Sequence, residues 1–303
     1  MIHHLYTHDW HPWRSRVSRI NGAWTYSKDI VKHYAPHIEA TLKSMGIDGP
    51  TVVGTCAPLS RYEAKDVTTH GDKFAALVQF LHNWPRENAL TPIFDLQRRY
   101  QSKCEEIIVV SAYKDYADEI NRNMKGNVRA VFLPMRVGHV PELKPKGAKK
   151  REAVWFGNLY SSKTETHAKV KEECKKRDIE LITIADGKIY DYHTPRGRSI
   201  NQANAWQACA NAGLVFAVGR CALEAYALGC RVLIAGDAFG GSVEGPGDWG
   251  IQEATNFNSR KSTGYWMISD AVKHAATTEE KPYICRDRIF CEDMVKDGII
   301  QWQ

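Results

Sequence analysis

The sequence predicts an α/β protein made of two doubly wound domains that face each other across a cleft. Three observations predict it. Short apolar, partly β-branched runs of the kind that parallel sheets bury on both faces recur along the chain. Helical stretches lie between them, several ending near glycine. A basic Pro/Gly/Lys stretch, Lys144 to Arg151, separates the runs into two sets.

Taken in order, the expected strands of the first set are Ile2–Tyr6, Thr51–Thr55, Ala75–Leu81, Ile107–Val110 and Ala130–Leu133, with helices over Ser27–Met45 and Ala112–Met124. The second set has strands Ala153–Phe156, Glu180–Ile184, Gly213–Ala217 and Arg231–Ala235, with helices over Lys163–Arg177, Asn201–Ala212 and Ala222–Leu228. Strand alternating with helix implies right-handed crossovers and helix layers on a parallel sheet. The expected domains are therefore 1–143 and 152–280, joined by 144–151, with 281–303 as a terminal segment. In such sheets ligands gather at the carboxyl ends of the strands, so the loops that follow strands are the places to seek chemistry.

Composition excludes several classes. With 303 residues, 43% apolar and 25% charged, the chain buries a large core and has too little polar bias for disorder. No apolar run approaches the ~18 residues of a membrane span, and MIHHLYTHDW lacks the basic and apolar regions of a signal peptide, so a cytoplasmic protein without a membrane partner is expected. The eight cysteines include no Cys-x-x-Cys pair, which argues against a disulfide framework or a structural zinc site. Residues 1–143 carry 18 Lys/Arg against 15 Asp/Glu, residues 144–151 carry five basic groups and no acidic ones, and residues 152–303 carry 18 against 20. The net charge of +6 is thus concentrated in KPKGAKKR, which reads as a solvated linker or as a strip that contacts phosphate.

The most informative stretch is Leu214-Val-Phe-Ala-Val-Gly-Arg-Cys-Ala-Leu-Glu-Ala-Tyr-Ala-Leu-Gly-Cys-Arg-Val-Leu-Ile234. A buried strand runs into Gly219-Arg220, a short helix carries Glu224, and Gly229 ends that helix before the next strand. Gly219 lets the backbone pass close to a ligand, while first-turn amides offer donors to phosphate oxygens. Arg220 adds a planar cation. Glu224, one turn further in, is placed to accept two ribose hydroxyls; the competing reading is a solvent-facing acid on a packed helix.

GRCALEAYALGCRVLI resembles the strand–helix–strand of the C-terminal nucleotide-binding domain in GT-B glycosyltransferases, particularly the large retaining family four. The resemblance implies two Rossmann-like domains, the first binding the acceptor and the second a nucleotide-diphosphate sugar. It implies that Glu224 holds the nucleotide ribose. Phe216 stands where the family has the first acid of its Glu-x7-Glu pair. Ala153-Val-Trp-Phe-Gly-Asn-Leu-Tyr-Ser-Ser-Lys163 resembles the opening of the family's second domain, so that Gly157 and Lys163 fall on its diphosphate-binding positions and Asn158 replaces its arginine, with Arg220 as the substitute cation. Ile182-Thr-Ile-Ala-Asp-Gly187, carrying Asp186, is similar to the strand and Gly-containing turn that follow. Ile107–Val110 with Ser111, and Phe132-Leu-Pro-Met-Arg136, are similar to the last strands of the first domain, Ser111 being an N-cap or a ligand contact.

In the N-terminal half, Asn21-Gly22-Ala23 is similar to the family's glycine loop over the donor phosphate. His82, ending Leu77-Val-Gln-Phe-Leu-His-Asn-Trp84, stands where the family often has a histidine facing the donor sugar; the competing reading is a histidine satisfied by a neighbouring carbonyl. Asp9, in His8-Asp-Trp-His-Pro-Trp13, is the carboxylate to test as base if the reaction inverts. Trp10, Trp13 and Trp84 offer faces for a sugar or a base, or serve as packing. His3, His4, His8 and His11 do not share one face of a strand, and there is no Asp-x-Asp, so no metal is expected. Asp237 to Asp248 is the most Gly-rich stretch and reads as a loop at the cleft mouth.

The resulting expectation is a metal-independent, retaining transferase that moves a sugar from a nucleotide-diphosphate sugar, a UDP-sugar ahead of a GDP-sugar, to an acceptor hydroxyl without a further cofactor. The segment 281–303 packs back on the first domain in the family. The basic linker with Arg196 and Arg198 keeps hydroxymethylated DNA open as acceptor, beside glycan, protein or small molecule. A sugar-nucleotide epimerase of the same fold and a non-catalytic nucleic-acid-binding protein are the alternatives.

Overall fold

The apolar runs pair into two sheets, one in each of two compact units: Met1–Met135 with Cys291–Gln303, and Arg136–Phe290. The computed structural model describes residues 2–6, 46, 51–55, 74–81, 90–144, 149–191, 196–265 and 267–290. None of the helices among the described residues is long and apolar enough to cross a membrane.

The first unit holds a parallel sheet of β1 (Ile2–Tyr6), β2 (Thr51–Thr55), β3 (Phe74–Leu81), β4 (Cys104–Ser111) and β5 (Val128–Phe132), in that spatial order. Because the strands follow one another without reversal, the described part of this sheet is wound in one direction, where a doubly wound sheet was expected. Leu77 stands beside Ile107 in the register, and both pack with Ile93, Leu96 and Tyr100 of α1 (Thr91–Tyr100) and with Tyr116 and Ile120 of α2 (Lys114–Asn123). The opposite face, with Val78, Phe80, Ile108 and Val110, is equally buried, as expected of strands read from continuous apolar runs. Ser111 is not an N-cap: its hydroxyl donates to the carbonyl of Tyr113 and accepts from the Tyr113 amide, both at 3.0 Å, and Tyr113 is the cap residue of α2.

The second unit holds seven strands, β6 (Lys149–Phe156), β7 (Glu180–Ala185), β8 (Lys188–Tyr190), β9 (Arg198–Ser199), β10 (Ala212–Ala217), β11 (Val232–Ala235) and β12 (Phe239–Ser242). Their order is β12-β11-β10-β6-β7-β8-β9, with β11, β10, β6 and β7 parallel. The chain adds β7 on one side of β6 and β10 on the other, so the direction of winding reverses between β6 and β10. This sheet is doubly wound. Trp155, Leu214, Phe216 and Leu233 face Val170 and Cys174 of α3 (Thr164–Lys176) and Ala271 and Val272 of α7 (Ile268–Thr277). Side chains alternate along a strand, so Val154, Val215 and Ile234 point to the other face, where α4 (Gln202–Asn211) and α5 (Gly219–Ala227) pack.

Two sequence expectations shift here. The division falls at Met135/Arg136 rather than at 144–151, and Lys149 to Arg151 already belong to β6, so the basic stretch is in part strand. The Gly-rich segment from Asp237 to Asp248 is not one loop. It contains β12 and the start of α6 (Pro246–Ala254). Gly240 and Gly241 serve close approach: at Gly241, with φ of 83°, an added Cβ would run into the carbonyl oxygen of Thr263. Residues 281–290 belong to the second unit, while 291–303 and the helix expected over 27–45 lie outside the described residues.

The second unit is closed by a buried charge network. Arg136, 1% exposed, donates to Glu253 Oε1 at 2.5 Å and to the carbonyl of Arg288, and Arg288 donates to Glu253 Oε2. Val137 N donates to Ile289 O at 2.9 Å, so the first and last residues of the unit run side by side. Removing one member of such a buried pair leaves an uncompensated charge, which costs about 3–5 kcal/mol. We expect Glu253→Leu to lower the unfolding free energy of the second unit by an amount of that order, read as a fall in its urea midpoint. Asp95→Leu, which removes an exposed i,i+3 pair with Arg98, should barely move the midpoint of the first.

Candidate functional site

The reversal of winding falls between β6 and β10, and the carboxyl edge at such a switch point is the place where open α/β sheets take ligands. Four loops reach this edge: 157–163 after β6, 186–187 after β7, 218–220 after β10 and 236–238 after β11. They are tied together by side chains. Ser162 Oγ donates to Asp237 Oδ1 at 2.9 Å, and Thr166 Oγ1 donates to the Asp237 carbonyl at 3.4 Å. Asn158 Oδ1 accepts from the Asp186 amide at 3.4 Å, while its Nδ2 donates to Tyr160 Oη at 2.9 Å.

Lys163 ends a 3₁₀ turn (Ser161–Lys163), with its ammonium 5.4 Å above the ring of Tyr160. Burial lowers its pKa, and Cys221, Asp237 and Asp186 oppose that shift. Across the reversal, Gly219 takes φ of 56°, a left-handed conformation that lets the chain turn from β10 straight into α5. No side chain caps α5. Its first-turn amides and the helix dipole make this end attractive to an anion. Gly157 and Cys221 approach each other here: a Cβ on Gly157 would lie 3.8 Å from Cys221 Sγ. Of the residues singled out in the sequence, Gly157, Asn158, Lys163, Asp186, Gly219 and Arg220 therefore stand at this edge.

Glu224 takes a different part from the one expected. It is 4% exposed; Oε1 accepts from Arg220 Nε at 2.8 Å and Oε2 accepts from Trp206 Nε1 at 2.8 Å. Both oxygens are engaged within the fold, so Glu224 braces α5 against α4 and holds Arg220, rather than standing open to two ribose hydroxyls. Phe216 lies in the core beneath α3 and α7, so the position of the family's first acid faces away from any ligand. Arg196 and Arg198 are exposed at and beside β9. Asp9, Trp10, Trp13, Gly22, His82 and Trp84, with His8 and His11, lie outside the described residues, as do the side chains of His3 and His4.

Sequence reasoning named two further parts of the site and missed a third. Asp237 lies two residues beyond β11, at a strand end where the Gly-rich stretch was expected to reach the site. The Asp186-Gly187 turn has both residues at positive φ, 50° and 72°, the geometry of a two-residue hairpin that this dipeptide favours. The third is the segment after α6, where Asn256, Phe257 and Ser259 all take positive φ, at 55°, 50° and 66°. The Gly219 amide donates to the Phe257 carbonyl at 2.7 Å, and the Ala238 amide to Ser259 Oγ at 3.4 Å. Left-handed non-glycine residues cost of order 1–3 kcal/mol each and concentrate at functional sites. No signal in the sequence marks them.

No protein-family model matches this chain, and no curated protein matches it in sequence.

The electrostatics yield a direct check. Burial pushes the Cys221 thiol up to about 12, with Glu224 adding and Lys163 and Arg220 opposing. It therefore stays protonated at pH 8, below that value. We expect iodoacetamide to label Cys221 at least about tenfold more slowly than a small-molecule thiol at pH 8, read by peptide mass spectrometry, because only the thiolate reacts.

Proposed function

We propose that the chain is a nucleotide-sugar-dependent glycosyltransferase of the GT-B type, with Arg136–Phe290 as its donor-binding unit. The observation that carries this reading is the reversal of strand order between β6 and β10, where the Gly157–Lys163 loop and the Gly219-led start of α5, which no side chain caps, share one edge of a doubly wound sheet. Such an edge suits a diphosphate: backbone amides donate to its oxygens and Lys163 supplies a cation held on a short turn.

In the reaction, the bond between the anomeric carbon and the phosphate oxygen breaks as a bond to the acceptor hydroxyl oxygen forms, and the hydroxyl proton passes to a base. Charge develops on the departing diphosphate. The α5 amides and the Lys163 ammonium are fixed in advance where that charge appears, which is the arrangement that lowers a barrier most. Arg220 contributes less than its position suggests, because Glu224 neutralises it. Asn158 organises the loops after β6 and β7 rather than replacing a cation. Transfer with retention, without a metal and from a UDP-sugar completes the proposal.

Lys163→Ala is the informative variant. Glu224→Ala would leave Arg220 buried without its counter-charge and so would report on folding. We expect calorimetric titration with UDP, GDP, ADP, CDP and dTDP, each with and without magnesium, to show micromolar binding of one diphosphate. Loss of one charge-assisted contact is worth about 1.5–3 kcal/mol, so Lys163→Ala should weaken that binding by about ten- to a hundredfold. Failure of all five diphosphates to bind would overturn the reading.

A further inference from the structure

A groove of about 1310 Å³ starts beside that edge at Leu159 and Asp186 and runs the length of β7. Its cause is topological. After β7 the chain turns back through the Asp186-Gly187 hairpin into the short antiparallel strands β8 and β9, and the next helix, α4, crosses to the opposite face of the sheet. The chain thus lays no helix after α3 directly over this side of β7. Leu181, Thr183 and Ala185 form the floor. His167, Lys171 and Lys175, one helical turn apart from each other on α3, form one wall, and Tyr190 and Asp191 lie opposite. At about 3.3 Å per residue the six residues of β7 make it roughly 17 Å long.

The lining decides what fits. The volume exceeds the roughly 300–1,000 Å³ of ordinary small-molecule sites, which calls for an extended ligand. Among the described residues of the lining, three cations, Arg151, Lys171 and Lys175, face five carboxylates, Glu152, Asp178, Glu180, Asp186 and Asp191. His167 adds no charge near neutrality, since burial lowers its pKa, with Lys171 adding to the shift, and its Nε2 lies 2.9 Å from Thr183 Oγ1. These described side chains carry no excess of Lys and Arg, on which the binding of a polyanion depends. Interspersed ammonium donors and carboxylate acceptors instead suit hydroxyl groups, each of which donates and accepts. The Tyr190 ring, held in place by close packing on Gly197, adds an apolar face with a polar tip.

We infer that this groove binds a neutral, polyhydroxylated chain of several sugar units, a preference that does not rest on the glycosyltransferase reading.

The test follows the His167 ring resonances of the full-length protein by NMR during titration with maltotetraose, cellotetraose, chitotetraose and, at low salt, a short DNA duplex. At least one tetrasaccharide should shift them at millimolar concentration. That response should be lost in Tyr190→Ala and kept in Tyr190→Phe, which controls for folding. Shifts from the duplex with none from the saccharides would overturn the inference, as would silence from all four. A saccharide response in a protein that binds none of the five diphosphates would uphold the groove and overturn the transferase reading, so the two fail separately.

Discussion

The second unit depends on one topological constraint, the reversal of winding between β6 and β10. A right-handed crossover from β6 to β7 and another to β10 must leave β6 on opposite sides. Helices α3 and α7 are thereby set on one face and α4 and α5 on the other, and both faces of the central strands become core. The same step makes the carboxyl edge between β6 and β10 a switch point. Core and switch point are two consequences of a single choice of strand order, which brings residues far apart in sequence, Gly157 and Cys221 for example, together at that edge. The first unit, whose described strands follow one another in order, has no such reversal and no switch point among its described residues.

What the sequence made legible follows the strength of its periodic signals. Buried parallel strands announce themselves as apolar runs, and all nine expected strands are present, though β4 and β6 each begin earlier than their apolar portions. Strands with charged starts, such as Cys104-Glu-Glu and Lys149-Lys-Arg-Glu, extend beyond the sheet's core, where apolar pattern gives no warning. The helix Pro246–Ala254 was hidden by its composition, because Pro, Gly, Asp and a second Gly read as a loop although Trp249, Gln252 and Glu253 are buried. Helix α1 was overlooked despite apolar residues at 93, 96 and 100, a spacing that fits one helical face, and despite a proline at its start.

The candidate site was legible in position and less so in role. Gly157, Lys163 and Gly219 follow strands, and strand ends are where a parallel sheet concentrates loops. Side-chain partners are another matter. Glu224 sits one turn into α5, where sequence permits either an open acceptor or a brace, and the choice is made by Trp206 from α4, whose proximity no local pattern encodes. Glu253 behaves alike: its partners Arg136 and Arg288 are 117 and 35 residues away. Buried carboxylates of this kind pay their desolvation through long-range partners, so their roles become readable only in the folded chain.

Charge placed along the chain also differs from charge placed in the fold. The basic stretch that dominates the net charge enters β6 at its last residues, and Arg151, its terminal cation, pairs with Asp178 at 2.5 Å. At the carboxyl edge, Lys163 and Arg220 are set against Asp186, Asp237 and Glu224, so on the proposed reading oriented backbone amides, not excess basic side chains, supply the attraction for an anion. Amides attract at short range and only in the direction they point, whereas a basic surface acts over a Debye length, about 8 Å at physiological salt. A site built this way selects a compact anion that reaches the helix end and gives little pull to a long polyanion passing by. The groove along β7, whose described lining has no excess of Lys and Arg, extends the same bias outward from Asp186. Sequence-level net charge left a linker and a phosphate-contacting strip open; among the described residues of the second unit the basic side chains are matched by acidic ones at both places.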